Sequence, residues 1–465
     1  MLAHRTRWNA GDGVPYGSNL IEVYQMNKLK NMSESSFLKL FMGFISACFV
    51  IAAFLMPDRA NAFSGLWQIA SMPGKITTNY FHLGGYAATF LNMGLVGFIC
   101  LGLFLVLKGT ANNVSSLAYL LTVGFASWGI TIVNVWFSFA GVVLYYLIKK
   151  EKLAGSVNAM MFSTGIAPLI TDLLVRYPNA EVVGFHGAGF LVAILAGLFI
   201  GFMLPAGLGH APAVHKGLDI YSAAVPVCFL AFFLNATLYK TIGIDLPGTA
   251  TDMTVASQAT VNIFCLIVFG LCIVLALAMG CKPGDYLKLL TAKEHVGNVS
   301  GSLGKEVYLM NVGIFGLFIL AYYTLIGASF NSVTFGIIFC MLCTANSGSH
   351  PGNVWPIMLG YVVASFGLGA LSGLAGGTYA MTINAQAIAI GLCFANGLSP
   401  ITSKYGWFWG MVSAVMHFLL VTSVPNMHGG FCLYNGGFTA AVICVLLVPV
   451  LEKCVKTRAE KTAAK

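Results

Sequence analysis

The sequence predicts an all-α integral membrane protein with about 14 membrane elements (a range of roughly 10–14), arranged as two related repeats. Three observations predict this. Of 465 residues, 58% are hydrophobic and only 8% charged, whereas a soluble domain carries about 25% charged residues. Apolar runs of about 20 residues recur along the chain, each long enough to span a hydrocarbon core of about 30 Å, and no strand-like alternation with polar lumen positions accompanies them. The chain also repeats itself, since Gly85–Val143 aligns without a gap on Gly304–Val362. Asn92, Gly94 and Gly97 fall on Asn311, Gly313 and Gly316, Asn112 on Asn331, Gly129 on Gly348, and Asn134-Val135-Trp136 on Asn353-Val354-Trp355. Hydrophobic bias does not readily produce a shared Asn-Val-Trp triplet.

Residues 1–36 form a polar arm without an apolar core and cleavage site, so no removable signal peptide is expected. The first repeat, 37–240, holds apolar runs at 37–56, 84–107, 114–130, 133–149, 157–174, 184–205 and 218–239. A linker, 241–256, leads to the second repeat, 257–452, with runs at 257–280, 304–327, 333–349, 352–375, 381–402, 405–425 and 432–451. Several are short or interrupted by Gly and Pro, so some are expected to be broken or re-entrant. Residues 453–465 form a basic tail.

The net charge of +9 does not suggest nucleic acid, because the basic residues lie in short clusters between apolar runs. Arg5, Arg7, Lys28 and Lys30, then Lys149, Lys150 and Lys152, then Lys282, Lys288 and Lys293, and finally the tail mark four cytoplasmic segments. Both termini are then cytoplasmic. An odd number of crossings per half makes the repeats inverted in topology, a pattern of secondary transporters whose solute site lies near the midplane between repeats. Arg59, Lys75 and Arg176 run against the charge rule.

The runs 157–174 and 381–402 are the main site candidates, because each contains Gly-x-x-Pro: Gly165 to Pro168 and Gly397 to Pro400. Glycine permits unusual dihedrals and proline removes a helical donor, so both segments should unwind at depth. Broken backbone inside a membrane is tolerated where it faces protein or a wet cavity. Ser163 and Asn396 adjoin the breaks, and Asn134 with Trp136, and Asn353 with Trp355, could present an amide beside an aromatic wall to a small polar solute. The competing readings are Pro-kinked packing helices, interhelical hydrogen bonds and an interfacial Trp belt.

A shared H-x-G-x-x-x-Y motif, His215 to Tyr221 and His428 to Tyr434, opens the last helix of each half. These residues, with His350 in the polar run 346–353, are candidates for a gate or vestibule. Their alternative is an interfacial helix start. Acidic residues fall in loops or, as with Asp172, Asp219 and Glu306, at helix ends. Carboxylate-based proton coupling is therefore disfavoured, and His417 is the one candidate for a deep titratable group. The cysteines, Cys340-x-x-Cys343 included, read as packing residues. The glycine spacings Gly197/Gly201 and Gly369/Gly373/Gly377 read as helix-packing or oligomer contacts. No nucleotide, metal or nucleophile motif is found, so neither an enzyme nor a cofactor is expected.

The stretch from Gly348 to Gly360, the paired Gly-x-x-Pro segments and the run from His428 to Phe438 resemble a bacterial multi-pass family known as domain of unknown function 1576. The resemblance covers about residues 37–452 and implies a bacterial inner membrane and a duplicated helical fold, but no substrate. The run Tyr434-Asn-Gly-Gly437 is also similar to urea-transporter half-motifs. The expected function is a carrier or uniporter for a small polar solute in the lipid bilayer, with homo-oligomerisation as a further expectation. The alternative is a channel-like facilitator for a small neutral molecule of the urea type, and a membrane-embedded enzyme or sensor ranks third.

Overall fold

The computed structural model describes residues 29–178, 184–248 and 254–463. Most of the predicted arm, with Arg5, Arg7 and Lys28, lies outside the described residues, as does part of the linker. Among the described residues the protein is all-helical. The helices that fall on the predicted apolar runs are α1 (Glu34–Leu55), α2 (Gly85–Val106), α3 (Asn113–Phe125), α4 (Val135–Ile148), α5 (Val157–Val175), α6 (Gly187–His215) and α7 (Ala224–Thr241). They continue as α8 (Gln258–Ala278), α9 (Lys305–Leu325), α10 (Ser332–Ser347), α11 (Pro351–Leu374), α12 (386–405), α13 (Trp407–Val421) and α14 (Asn435–Cys454). Nine helices among the described residues are long and apolar enough to cross a membrane.

Boundaries follow local chemistry. Ser33 caps α1 by accepting the Ser36 N–H at 3.2 Å, so residues 34–36 belong to the helix rather than to the arm. Asn112 and Asn331 cap α3 and α10 in the same way. The run expected to stop at Pro205 instead continues to His215, with Pro205 and Pro212 inside the helix. Membrane helices tolerate such prolines where neighbouring groups take up the freed backbone.

Lipid-facing and protein-facing surfaces are chemically reversed relative to a soluble domain. Ile51, Leu55, Leu195, Ile267, Val274 and Leu371 are exposed, as apolar side chains are where the surrounding solvent is hydrocarbon. Polar side chains point inward instead. Asn92 in α2 donates to Ala126 O at 2.7 Å and Ile130 O at 2.8 Å. Asn311 in α9 donates to Ala345 O at 3.0 Å and Ser349 O at 2.8 Å. These are the residues that the sequence repeat equates, so the repeat is written in hydrogen bonds as well as in letters. Each amide pins a turn, 126–134 or 343–350, that would otherwise leave carbonyls unpaired.

Glycine sets the closest helix contacts. A β-carbon at Gly201 would collide with Ser138 O and Gly141, and one at Gly197 with Phe137, so α4 and α6 touch backbone to backbone. The second predicted stripe behaves differently, because Gly373 faces open space within this chain.

Replacing Asn92 or Asn311 by Ala would strand two buried carbonyls in each case, at about 1–3 kcal/mol per unpaired group. Both variants should lower the thermal unfolding midpoint in detergent by similar amounts. A large loss in one half with none in the other would contradict their equivalence.

Candidate functional site

The two Gly-x-x-Pro segments are broken helices. In α5, helix 157–163 gives way to a 3-10 turn at Thr164–Ile166 before Ala167–Val175. In α12, Gln386–Ala395 gives way to Asn396–Leu398 before Ser399–Tyr405. The cause is the missing proline donor: Pro168 cannot serve Thr164 O, nor Pro400 Asn396 O. The residue before each proline takes over, with Ala167 N on Thr164 O and Ser399 N on Asn396 O. The neighbouring glycine carbonyls are satisfied from the opposite half. Leu433 N donates to Gly165 O at 2.9 Å, and Ile220 N donates to Gly397 O at 3.0 Å.

These donors belong to two loops that cross between the halves reciprocally. The loop after α6 seats Tyr221 on Gly397, and the loop before α14 seats Tyr434 on Gly165. A β-carbon at either glycine would run into the tyrosine ring, so glycine is required there by close approach. Between the loops lies a row of rings. Tyr434 meets Phe125 at 5.0 Å, Phe125 stacks on Phe394 at 6.0 Å, and Phe394 meets Tyr221 at 5.1 Å. All four rings are buried.

A cleft lies at each end of this row. One, of about 360 Å³, is lined by Lys75, Thr77, Asn426, Gly430 and Asn435. The other, of about 290 Å³, is lined by Gly217, Leu218, His295, Pro400 and Lys404. The second opens at the end where Lys30 pairs with Glu306 at 3.2 Å, Ser300 donates to Glu34 at 2.8 Å and Arg458 reaches Ser403 O at 3.4 Å. The first opens at the opposite end, where Ile76 N donates to Gly430 O at 3.0 Å and Tyr80 N to Ser332 Oγ at 2.7 Å. We call these the basic end and the far end.

Several predicted site residues serve the fold instead. Asn134 Oδ1 accepts from Thr131 N at 2.9 Å, while its amide donates to Gly129 O at 2.9 Å and Thr171 Oγ1 at 3.0 Å. Asn353 repeats this with His350 N at 2.9 Å, Gly348 O at 2.9 Å and Ser403 Oγ at 3.1 Å. Their hydrogen-bonding capacity is used in tying each hairpin to its broken helix, not in facing a solute. Trp136 and Trp355 do not wall a pathway beside them, being exposed on the outer surface, with Trp355 stacked on Trp407. The Asn-Trp pairing fails because residues two apart on a helix point about 200° apart, to opposite faces. Ser163 is buried and donates to Ser138 Oγ at 2.9 Å.

The predicted vestibule histidines are buried brackets. His215 Nδ1 accepts from Asp219 N at 3.2 Å and His428 Nδ1 from Cys432 N at 3.1 Å. His350 caps α11 through Gly352 N at 3.1 Å. His417, the predicted deep titratable group, lies between Tyr361 Oη at 2.7 Å and Gly436 O at 2.8 Å. Asn396 joins the centre directly: it accepts from Tyr221 Oη at 2.8 Å and donates to Met341 O at 2.9 Å. Tyr221 Oη also reaches Cys340 O at 3.0 Å, whereas Tyr434 Oη has no hydrogen-bond partner among the described residues.

Sequence reasoning missed the burial of two acidic residues. Asp172 and Asp219 lie at helix ends, as expected, but are buried inside the protein. Asp172 is held by Arg176 and by Tyr239 Oη at 2.7 Å. Asp219 sits against Gly397 and has no cationic partner among the described residues. Its signal was present in the motif, since the position equivalent to Asp219 in the second H-x-G-x-x-x-Y is Cys432. The cysteines are thiols, and no cluster of metal-ligating side chains occurs among the described residues.

A family model described as "Protein of unknown function (DUF1576)" matches residues 58–240 and 299–453. No curated protein and no solved structure matches the chain.

Gly397→Ala should cost about 1–3 kcal/mol of stability by overpacking. Tyr221→Ala should relieve it, and Tyr434→Ala should not. Gly165→Ala should show the opposite pattern, as read by thermal unfolding of the double variants. A second prediction concerns His295 at the basic-end cleft, whose pKa burial lowers from 6.5 to about 4. The unfolded chain therefore binds this proton more readily, so its contribution to stability is present above about pH 6.5 and is lost as pH falls toward 4. His295→Gln should reduce the drop in unfolding midpoint over that window.

Proposed function

This chain belongs to the family described as "Protein of unknown function (DUF1576)", and from its geometry we propose a secondary carrier for a small polar solute, built from two inverted halves. The observation that carries the proposal is the reciprocal seating of the two tyrosine loops on the two helix breaks, between clefts at opposite ends. Exchange of equivalent contacts is the mark of a two-fold relation between partners. Opposed orientation of the halves is supported by their first helices. α1 begins at the basic end, while α8 finishes there, with Lys30 Nζ 3.9 Å from the β-carbon position of Gly280.

Such an arrangement suits alternating access. Freeing Tyr434 from Gly165 would extend the far-end cleft toward the centre, and freeing Tyr221 from Gly397 would extend the basic-end cleft. The solute would then be enclosed near the aromatic row, with Asn396 and the break carbonyls as its polar contacts. The unpartnered Tyr434 hydroxyl makes the far-end loop the less firmly held of the two. The buried row of rings between the clefts supports a carrier over a constitutive channel, because a channel needs a continuous opening. The basic end is proposed to be cytoplasmic, by the excess of Lys and Arg in its loops. We further propose the inner membrane of a bacterium as its location.

The test is counterflow in proteoliposomes with a panel of labelled urea, polyols and amino acids. The expected result is saturable uptake of one class, accelerated by the same solute inside and abolished in a folded Gly397→Ala protein. Flux that stays linear to high concentration would replace the carrier by the channel reading.

A further inference from the structure

Asp219 is a buried carboxyl group of which its loop uses one oxygen only. The loop of the other half has the same shape with a cysteine in that place. Cys432 N donates to His428 Nδ1 at 3.1 Å as Asp219 N does to His215 Nδ1 at 3.2 Å. Leu433 N reaches Gly165 O at 2.9 Å as Ile220 N reaches Gly397 O at 3.0 Å. The loop therefore keeps these two contacts with a thiol in that place, and the second carboxyl oxygen calls for another reason.

Its surroundings point to that reason. Asp219 is 3% exposed. Oδ1 accepts from Tyr221 N at 2.9 Å, and Oδ2 has no partner. The titratable groups around it are His215 and Tyr221 on its own loop and Cys444 on α14. Across the basic-end cleft stand Lys293, Glu294, His295 and Lys404, while Lys216 is engaged with Glu452. None of the cations lies within ion-pair distance of Asp219. An isolated carboxylate in such a place is disfavoured, and the neutral acid is the form that burial accepts. Burial pushes this carboxyl up from 3.8 to about 7. Gly217 and Leu218, its near neighbours in sequence, line the cleft. One free oxygen suits a proton, since a metal cation of the hard class requires several oxygen ligands.

We propose that Asp219 is a proton-binding site reached from the basic-end cleft, and that its protonation holds the Tyr221 loop on Gly397. In this step a hydronium ion in the cleft gives its proton to Oδ2, forming the O–H bond and leaving water. The reverse step leaves a carboxylate that is stable only when hydrated, so the loop lifts and the cleft deepens. With the closed-state pKa above that of the hydrated group, closure is favoured at low pH and is lost as pH rises through neutrality. The inference rests on the carrier reading and adds its coupling: solute movement is linked to a proton, against the expectation from the sequence.

The test uses the full chain in nanodiscs and needs no solute, so its failure is distinct from failure of the flux assay. Infrared difference spectra should show a protonated-carboxyl stretching band that disappears with a midpoint near neutrality. That band should be lost in Asp219→Asn and in Asp219→Cys, the latter copying the other half. In a background without reactive native thiols, Ser222→Cys should become labelled by a water-soluble maleimide as pH rises through the same midpoint. Asp219→Asn should hold the labelling at its low-pH level. A band that titrates in the ordinary carboxylate range, or survives in Asp219→Asn, overturns the proposal. So does labelling of Ser222→Cys that ignores pH, or a band displaced at fixed pH by sodium ions.

Discussion

The structure depends on pairing the peptide groups that two broken helices release inside a lipid environment. An unpaired N–H or C=O in hydrocarbon costs several kcal/mol, roughly the scale of a whole domain's stability. Proline at 168 and 400 removes one helical donor from each break. The 3-10 turns recover one carbonyl in each. The next, at Gly165 and Gly397, accepts a backbone N–H from the opposite half. Each break is thereby joined to the other half by a hydrogen bond as well as by apolar packing.

Around this exchange the buried amides act as brackets. Asn92 and Asn311 hold the turns, and Asn134 and Asn353 tie those turns to the broken helices. Asparagine suits the task because it donates and accepts at once without charge. The same chemistry explains why these residues are poor solute ligands here: their donors and acceptors are committed. Among the buried atoms that no described residue partners are three near the loops, Tyr434 Oη, His428 Nε2 and Asp219 Oδ2.

Duplication gives two equivalent places, and divergence between them is informative. Tyr221 is held by Asn396 and by carbonyls of α10 and α12, whereas its counterpart Tyr434 ends in an unpartnered hydroxyl. Asp219 stands where the other half has a thiol, at 3.1 Å from Cys228. A two-fold frame with unlike occupants can respond differently at its two ends, as the proposed cycle requires.

The sequence by itself determined the helical membrane class, most of the helical segments and the position of both breaks. Those features reside in composition, in chain-local periodicity and in the fixed chemistry of Gly and Pro, which act over a few residues. It could not assign the direction of a side chain. Trp136 was legible as an aromatic beside Asn134, yet helical geometry turns it outward to the surface. Asp219 was legible as an acid at a helix margin, yet a loop carries it onto Gly397, far away in sequence. Burial, and with it the cost of charge, is decided by what the opposite half brings to the same place, and only the tertiary structure contains that.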